Sequence, residues 1–238
     1  MQLQEIKMMR KAGTRYGSLR RIYQLLPAIC LTLMSQQAAA APTHSVATGM
    51  PRTVVAFGDS LMAGYQLRPG EGFAPQLEAA LKARGRAVTV VPAGVSGDTT
   101  AQGKARINWV LAGMKARPDL VILELGANDM LRGQSPAIAR ANLDAMITAF
   151  KGKGARVLLA GMYAQPNNGP AYQKQFNAIY PGLAKAQRIA LYPFFMDGVA
   201  AVPGLQLADG LHPTPKGVKI IVARILPFVE RELDALGK

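Results

Sequence analysis

TVVAFGDSLMAGY, residues 53–65, joins a short β-branched apolar run to a glycine and a single serine. Residues 53–57 stay apolar instead of alternating, as a strand does when both faces of a parallel sheet are covered. The chain then passes through Gly58 and Asp59 and presents Ser60. This is not the G-x-S-x-G of the common serine-hydrolase elbow: Gly58 lies two residues before the serine, but Met62 lies two after it. Whether Ser60 is a nucleophile depends on what the rest of the chain can bring to the end of that strand.

The same pattern recurs downstream. Apolar runs stand at 88–91 (VTVV), 120–125 (LVILEL), 156–160 (RVLLA) and, more weakly, 189–195 (IALYPFF). Helix-length stretches lie between them. Phe73, Leu77 and Leu81 are spaced four apart, and Glu78 can pair with Lys82. Ile107, Val110, Leu111 and Met114 follow the i, i+3, i+4, i+7 stripe. Ser135-Pro136 is an N-cap followed by an N1 proline, with Leu143, Ile147 and Phe150 on one face. Thr214-Pro215 repeats that signal ahead of Val218, Ile221, Val222, Ile225 and Val229, and Pro227 is expected to kink or split this last helix. Strands alternating with helices predict an α/β fold: one three-layer α/β/α domain over 52–238, with a central, mainly parallel five-stranded sheet and right-handed crossovers.

The first forty residues read differently. Six basic residues from Lys7 to Arg21 precede an uncharged stretch, residues 22–34, and then SQQAAAAP. That is the order of a secretory signal peptide, with cleavage expected after Ala40, a tail over 41–51, and a periplasmic or secreted product. The one cysteine, Cys30, falls inside the leader after Ile29, which does not fit a lipoprotein signal. The mature chain then has no cysteine, which excludes disulfides, thiolate metal sites and cysteine catalysis. No apolar run is long enough to anchor the chain stably in a bilayer. Half of the residues are hydrophobic, which argues for a buried core and against disorder.

The full chain carries a charge of +14. The leader takes six of the 28 basic residues and one of the 14 acids, which leaves 22 against 13, or +9. These cations are scattered singly, and the densest group, KGKGAR at 151–156, reads as a turn with no interleaved aromatics. A basic surface of this kind can attract anionic substrates, but it is not a nucleic-acid footprint.

Chemistry gathers after the strands. The first strand is followed by Gly58-Asp59-Ser60, the second by Gly94-Val95-Ser96-Gly97-Asp98, and the third by Gly126-Ala127-Asn128-Asp129. Ligands of open parallel sheets bind beyond the carboxyl ends of the strands, so these loops converge on one rim. A serine also needs a base, and the chain has two histidines. His44 lies in the tail. His212 has Asp209 three residues before it, close enough to hold one ring nitrogen and leave the other to accept a proton. Ser60, Asp209 and His212 thus form a candidate catalytic triad. No set of His, Asp and Glu has metal-ligand spacing, and no phosphate-cradling glycine motif is present, so neither metal nor cofactor is expected.

GDSL at 58–61, Gly94 in GVSGDTT, GAND at 126–129 and DGLH at 209–212 resemble, in order and spacing, the four blocks of the GDSL, or SGNH, hydrolase family. Within it, the flanking segments resemble the bacterial acyl-CoA thioesterase I/lysophospholipase L1/arylesterase branch. The resemblance covers nearly all of 52–230. It implies that Ser60 sits on a short helical turn as the nucleophile, with His212 as base and Asp209 as orienting acid. It further implies an oxyanion hole made of the Ser60 and Gly94 backbone N–H groups and the Asn128 amide. The expected reaction is hydrolysis of small-molecule acyl esters, thioesters or lysophospholipids by a monomer. A carbohydrate O-deacetylase using the same blocks, or a non-catalytic ligand-binding module on this fold, are the alternatives.

Other polar residues read as support. Ser96 is expected to shape its loop, Asp59 to organise the nucleophile's turn, Asp129 to hold Asn128 or nearby backbone, and Glu124 to be a buried hydrogen-bond partner. The Gly-, Pro- and Asn-rich stretch 162–173 is read either as a mobile wall of the pocket or as an ordinary connection. Met62, Leu131 and Met162 are candidates to line an apolar groove.

Overall fold

The structure, a computed structural model, describes residues 51–237. The expected leader, its cleavage site, Cys30 and His44 lie outside the described residues. Five strands form one sheet: β1 (Arg52–Gly58), β2 (Val88–Gly94), β3 (Leu120–Glu124), β4 (Arg156–Ala160) and β5 (Ala190–Tyr192). Every pairing is parallel, in the order β2-β1-β3-β4-β5. The chain pairs β2 on one side of β1 and then crosses to place β3 on the other. The winding reverses there, which opens a crevice beyond the carboxyl ends of β1 and β3.

The helices are α1 (Ser60–Ala63), α2 (Phe73–Ala83), α3 (Thr100–Ala112), α4 (Ala127–Leu131), α5 (Pro136–Gly152), α6 (Pro170–Asn177), α7 (Ile179–Gln187) and α8 (Pro215–Asp234). α2 packs on α8 in one layer, and α3 on α5 and α5 on α7 in the other, giving the three-layer α/β/α sandwich. Residues 54–58 of β1 and all of β3 are buried, as their uninterrupted apolar runs require. Phe57 meets Phe150 of α5 edge to face, with centroids 5.3 Å apart. Truncating either ring to Ala costs about 3–5 kcal/mol.

Local signals place the helices with two adjustments. Thr214 caps α8 as expected, its side chain accepting from the Gly217 N–H. Ser135 stands at the N-cap of α5, but its side chain makes no cap bond, and its carbonyl instead accepts from Ile138 and Ala139. Pro227 does not split α8, which runs unbroken from Pro215 to Asp234. Val218, Ile221, Val222, Ile225, Leu226, Val229 and Leu233 are all buried along that helix. This continuous apolar stripe outweighs the loss of one backbone hydrogen bond. Glu78 pairs with Lys82 at 2.5 Å as expected, and its other oxygen accepts from Val90 N at 2.7 Å, tying α2 to β2.

Candidate active site

β1 ends at Gly58, and the chain turns at once into α1. Asp59 is the N-cap: its Oδ1 accepts from Leu61 N at 3.0 Å. Ser60 is therefore the first residue of a four-residue helix, and its own N–H has no acceptor within that helix. Gly58 is required by packing. A Cβ there would fall on the Glu124 carbonyl and within 2.7 Å of Glu124 Oε2.

His212 comes from the other end of the chain, on the turn between β5 and α8. Its Nε2 lies 2.8 Å from Ser60 Oγ, and its Nδ1 lies 2.7 Å from Asp209 Oδ2. Asp209 Oδ1 accepts from Leu211 N and His212 N at 2.8 and 3.0 Å. These backbone bonds, the His212 N–H foremost, hold the exposed Asp209 carboxyl down at about 2, so it is ionised in the working range. The turn is closed by Leu207 N–H on the His212 carbonyl at 2.7 Å and by a bridge between Gln206 and Pro213. Gly210, at φ +68°, lets the chain double back between acid and base.

Gly94 ends β2 opposite Gly58. A Cβ at Gly94 would come within 2.6 Å of the Met62 carbonyl carbon and 2.8 Å of the Asp59 carbonyl, so no other residue fits without moving α1. Asn128, on α4, directs its Nδ2 at both Asp59 Oδ2 (3.1 Å) and the Asp98 carbonyl (3.0 Å). Gly58, Ser60, Gly94 and Asn128 thus meet at one rim, as the sequence pattern indicates.

Supporting residues divide more finely than the sequence suggests. Asp129 accepts from Thr100 N and Thr100 Oγ1 at 2.8 and 2.6 Å, fastening α3 to α4. Arg106, which the sequence did not single out, pairs with Asp98 at 2.6 Å and donates to the Gly58 carbonyl at 2.8 Å over the Phe57 ring. Tyr65 was also missed: its ring lies 4.4 Å from that of His212, centroid to centroid. Ser96 is exposed on its loop.

Beside Ser60 opens a cleft of about 490 Å³, walled by Leu131, Met162, Tyr163, Phe194, Met196 and Leu211 among others. Met62 is not in this wall. Two positions after Ser60 on α1, it turns inward against Gly58 and is 2% exposed. The 162–173 stretch does form a wall, and it is fastened. Ala164 N donates to Asn177 Oδ1 at 2.8 Å, Asn168 Nδ2 to the Met130 carbonyl at 3.2 Å, and Tyr172 Oη to the Gln134 carbonyl at 2.9 Å. Among the described residues, no group of His, Cys, Asp or Glu could hold a metal ion, and no helix is long and apolar enough to cross a membrane.

Known proteins similar to this chain are esterases and acylhydrolases. The GDSL-like lipase/acylhydrolase family model matches residues 56–220. The chain is 39% identical over 202 residues to the esterase TesA of Pseudomonas aeruginosa, covering 85% of this chain and 94% of that protein. It is 36% identical over 188 residues to thioesterase 1/protease 1/lysophospholipase L1 of Escherichia coli K12, covering 79% and 83%. Among solved structures, AlinE4, an SGNH-hydrolase family esterase, superposes with a TM-score of 0.66 at 45% identity, covering 78% of this chain and 98% of that one.

Proposed function

The chain belongs to the GDSL-like lipase/acylhydrolase family and is an esterase and thioesterase of the SGNH type, and we propose that Ser60, His212 and Asp209 carry out its chemistry through an acyl-enzyme. The continuous Asp209–His212–Ser60 hydrogen-bond chain is the observation that supports this most directly.

Asp209 fixes the tautomer of His212 by accepting from Nδ1–H, so Nε2 is left to accept the Ser60 hydroxyl proton as Oγ attacks the acyl carbonyl. The carbonyl oxygen becomes an oxyanion. Its donors are the Ser60 N–H, left without a helical partner, the Gly94 N–H and Asn128 Nδ2. Removing one such donor from an oxyanion hole costs about 10²–10³ in rate. Both Asn128 hydrogens already have acceptors, so one must turn from the Asp98 carbonyl to the oxyanion while Asp59 keeps the other. His212 then returns its proton to the departing alkoxide or thiolate, and a water repeats the sequence on the acyl-enzyme.

The cleft supports an acyl substrate larger than acetate, because its walls are apolar and aromatic and it runs directly from Ser60. The protein acts as a monomer on small-molecule acyl esters, thioesters or lysophospholipids, in the periplasm or outside the cell after loss of residues 1–40, as one domain over 52–238. Hydrolysis of p-nitrophenyl esters from C2 to C16 by the mature protein, beside Ser60→Ala, tests this. Serine-dependent turnover that extends to medium or long chains is the expected result. Turnover confined to acetate returns the O-deacetylase reading, and none at all the binding-module reading.

A further inference from the structure

Behind the nucleophile lie two carboxyl groups that the triad does not use. Asp59 and Glu124 are both fully buried, at 0% exposure. They differ sharply in their partners. Asp59 accepts two hydrogen bonds, from Leu61 N at 3.0 Å and from Asn128 Nδ2 at 3.1 Å. Neither oxygen of Glu124 receives a well-formed N–H or O–H bond from any described residue. The polar groups that face it are the Asp59 carboxyl and backbone amide. An ionised carboxylate left so poorly solvated is far too costly, and two adjacent carboxylates cannot both stay charged.

We propose that Asp59 and Glu124 share one proton, that Glu124 holds it and donates to an ionised Asp59, and that this pair aims the Asn128 amide, which makes Glu124 a positioning residue for the oxyanion hole. The inference rests on the oxyanion role proposed for Asn128. A neutral Glu124 becomes a donor, which satisfies one of the two oxygens that otherwise have no partner. An ionised Asp59 keeps both of its acceptor positions for Leu61 N–H and Asn128 Nδ2. The first sets the turn that carries Ser60, and the second keeps one Asn128 hydrogen while the other is free to swing from Asp98 to the substrate. Gly58 completes the arrangement, since a side chain there would occupy the space of Glu124 Oε2.

The surroundings favour this distribution of charge. Burial raises both groups, Asp59 to about 6 and Glu124 well above its ordinary value, and the Asp59 charge pushes Glu124 further. His212 and the bonds from Leu61 N and Asn128 draw Asp59 back toward its ionised form, whereas Asp98 opposes this. Asp98 is itself paired with Arg106 from α3, which also caps the Gly58 carbonyl. On the far side, Asp129 of α4 is bonded to Thr100, and the buried Tyr180 of α7 donates to the Leu125 carbonyl. No described cation pairs with Glu124.

Infrared spectroscopy and kinetics test the proposal together. The wild-type enzyme is expected to show a protonated-carboxyl C=O band at neutral pH that is missing in Glu124→Gln. Glu124→Gln, a neutral donor of the same shape, is expected to keep kcat within about threefold. Glu124→Leu, which fills the space but cannot donate, is expected to lose at least tenfold in kcat with KM unchanged and the fold intact by circular dichroism. Absence of the band in the wild-type protein overturns the shared proton, whatever the variants do. Equal activity of the Leu and Gln variants overturns the positioning role. Asn128→Ala, run alongside, separates this from the oxyanion assignment: full activity in that variant overturns both the assignment and the positioning role, and the band alone then judges the shared proton.

Discussion

His212 Nε2 stands 2.8 Å from Ser60 Oγ across 152 residues of sequence. Ser60 is delivered by the end of β1, and His212 by the turn that precedes α8. That distance is therefore set by the docking of α1, α2 and α8 around the sheet, and α2 packs on both of the other two.

Ser60→Ala and His212→Ala each remove one end of this contact. Both are expected to lower kcat at least about a thousandfold, as loss of a triad member does, without changing the circular dichroism spectrum. Steady-state kinetics on a p-nitrophenyl ester checks this, and a loss under about tenfold for either variant sinks the triad.

Gly94→Ala is expected to damage stability and activity together. The new Cβ meets the Met62 and Asp59 backbone, so α1 must shift, at a cost of about 1–3 kcal/mol in overpacking. Because α1 carries Ser60, the same shift misplaces the nucleophile. A lowered urea midpoint together with a kcat reduced at least about tenfold is the expected pair of results. Unchanged stability would show that the β2–α1 seam can open enough to admit a methyl group.

Stability should respond to pH in two opposite windows. Asp59 holds its proton more tightly folded than unfolded, up to about 6 against an ordinary 3.8. It therefore favours the folded state most below about 4, and that contribution fades as pH rises toward 6, by at most about 3 kcal/mol. Asp209 is the reverse: lowered to about 2, it favours the folded state above about 4 and loses that contribution as pH falls toward 2. Urea unfolding between pH 4 and 7 should show a decline that is shallower, but not abolished, in Asp59→Asn, because a Glu124 that keeps its proton in the folded state also loses stability as pH rises above its ordinary value. Parallel curves for the two proteins would count against an ionising Asp59.

Tyr65 rests its ring on the His212 imidazole without a hydrogen bond between them. Tyr65→Phe is expected to be nearly silent. Tyr65→Ala should lower kcat about three- to tenfold by letting the imidazole tilt, since misplacing a catalytic group slightly is costly. The comparison isolates the ring from its hydroxyl; a defective Phe variant would assign the effect to the hydroxyl instead.

The strands and the triad were legible in the sequence because each has a local signature. An apolar β-branched run shows a buried strand, and Asp209 three residues before His212 shows a dyad. The fifth apolar run covers seven residues, but β5 pairs with β4 only over Ala190–Tyr192, and Pro193, which has no N–H to give a ladder, follows at once. Met62, Tyr65 and Arg106 were not legible in the same way. Met62 looked like a groove residue, but the short α1 turns it into the core. Tyr65 and Arg106 act through ring and guanidinium contacts with residues that only the folded sheet brings near. Glu124 was visible as an acid in an apolar strand, yet nothing local shows that Asp59 faces it.

Asp209 and His212 are tied to one another by bonds inside a single four-residue turn, while Ser60 and Asn128 sit on the short helices α1 and α4 that follow β1 and β3. The enzyme is thus assembled from a cartridge and a socket. Warming that loosens the turn's attachment would withdraw acid and base as one intact unit, and cooling would return them still aligned. Any movement of the turn against the sheet therefore changes the His212–Ser60 distance and leaves the Asp209–His212 geometry as it was.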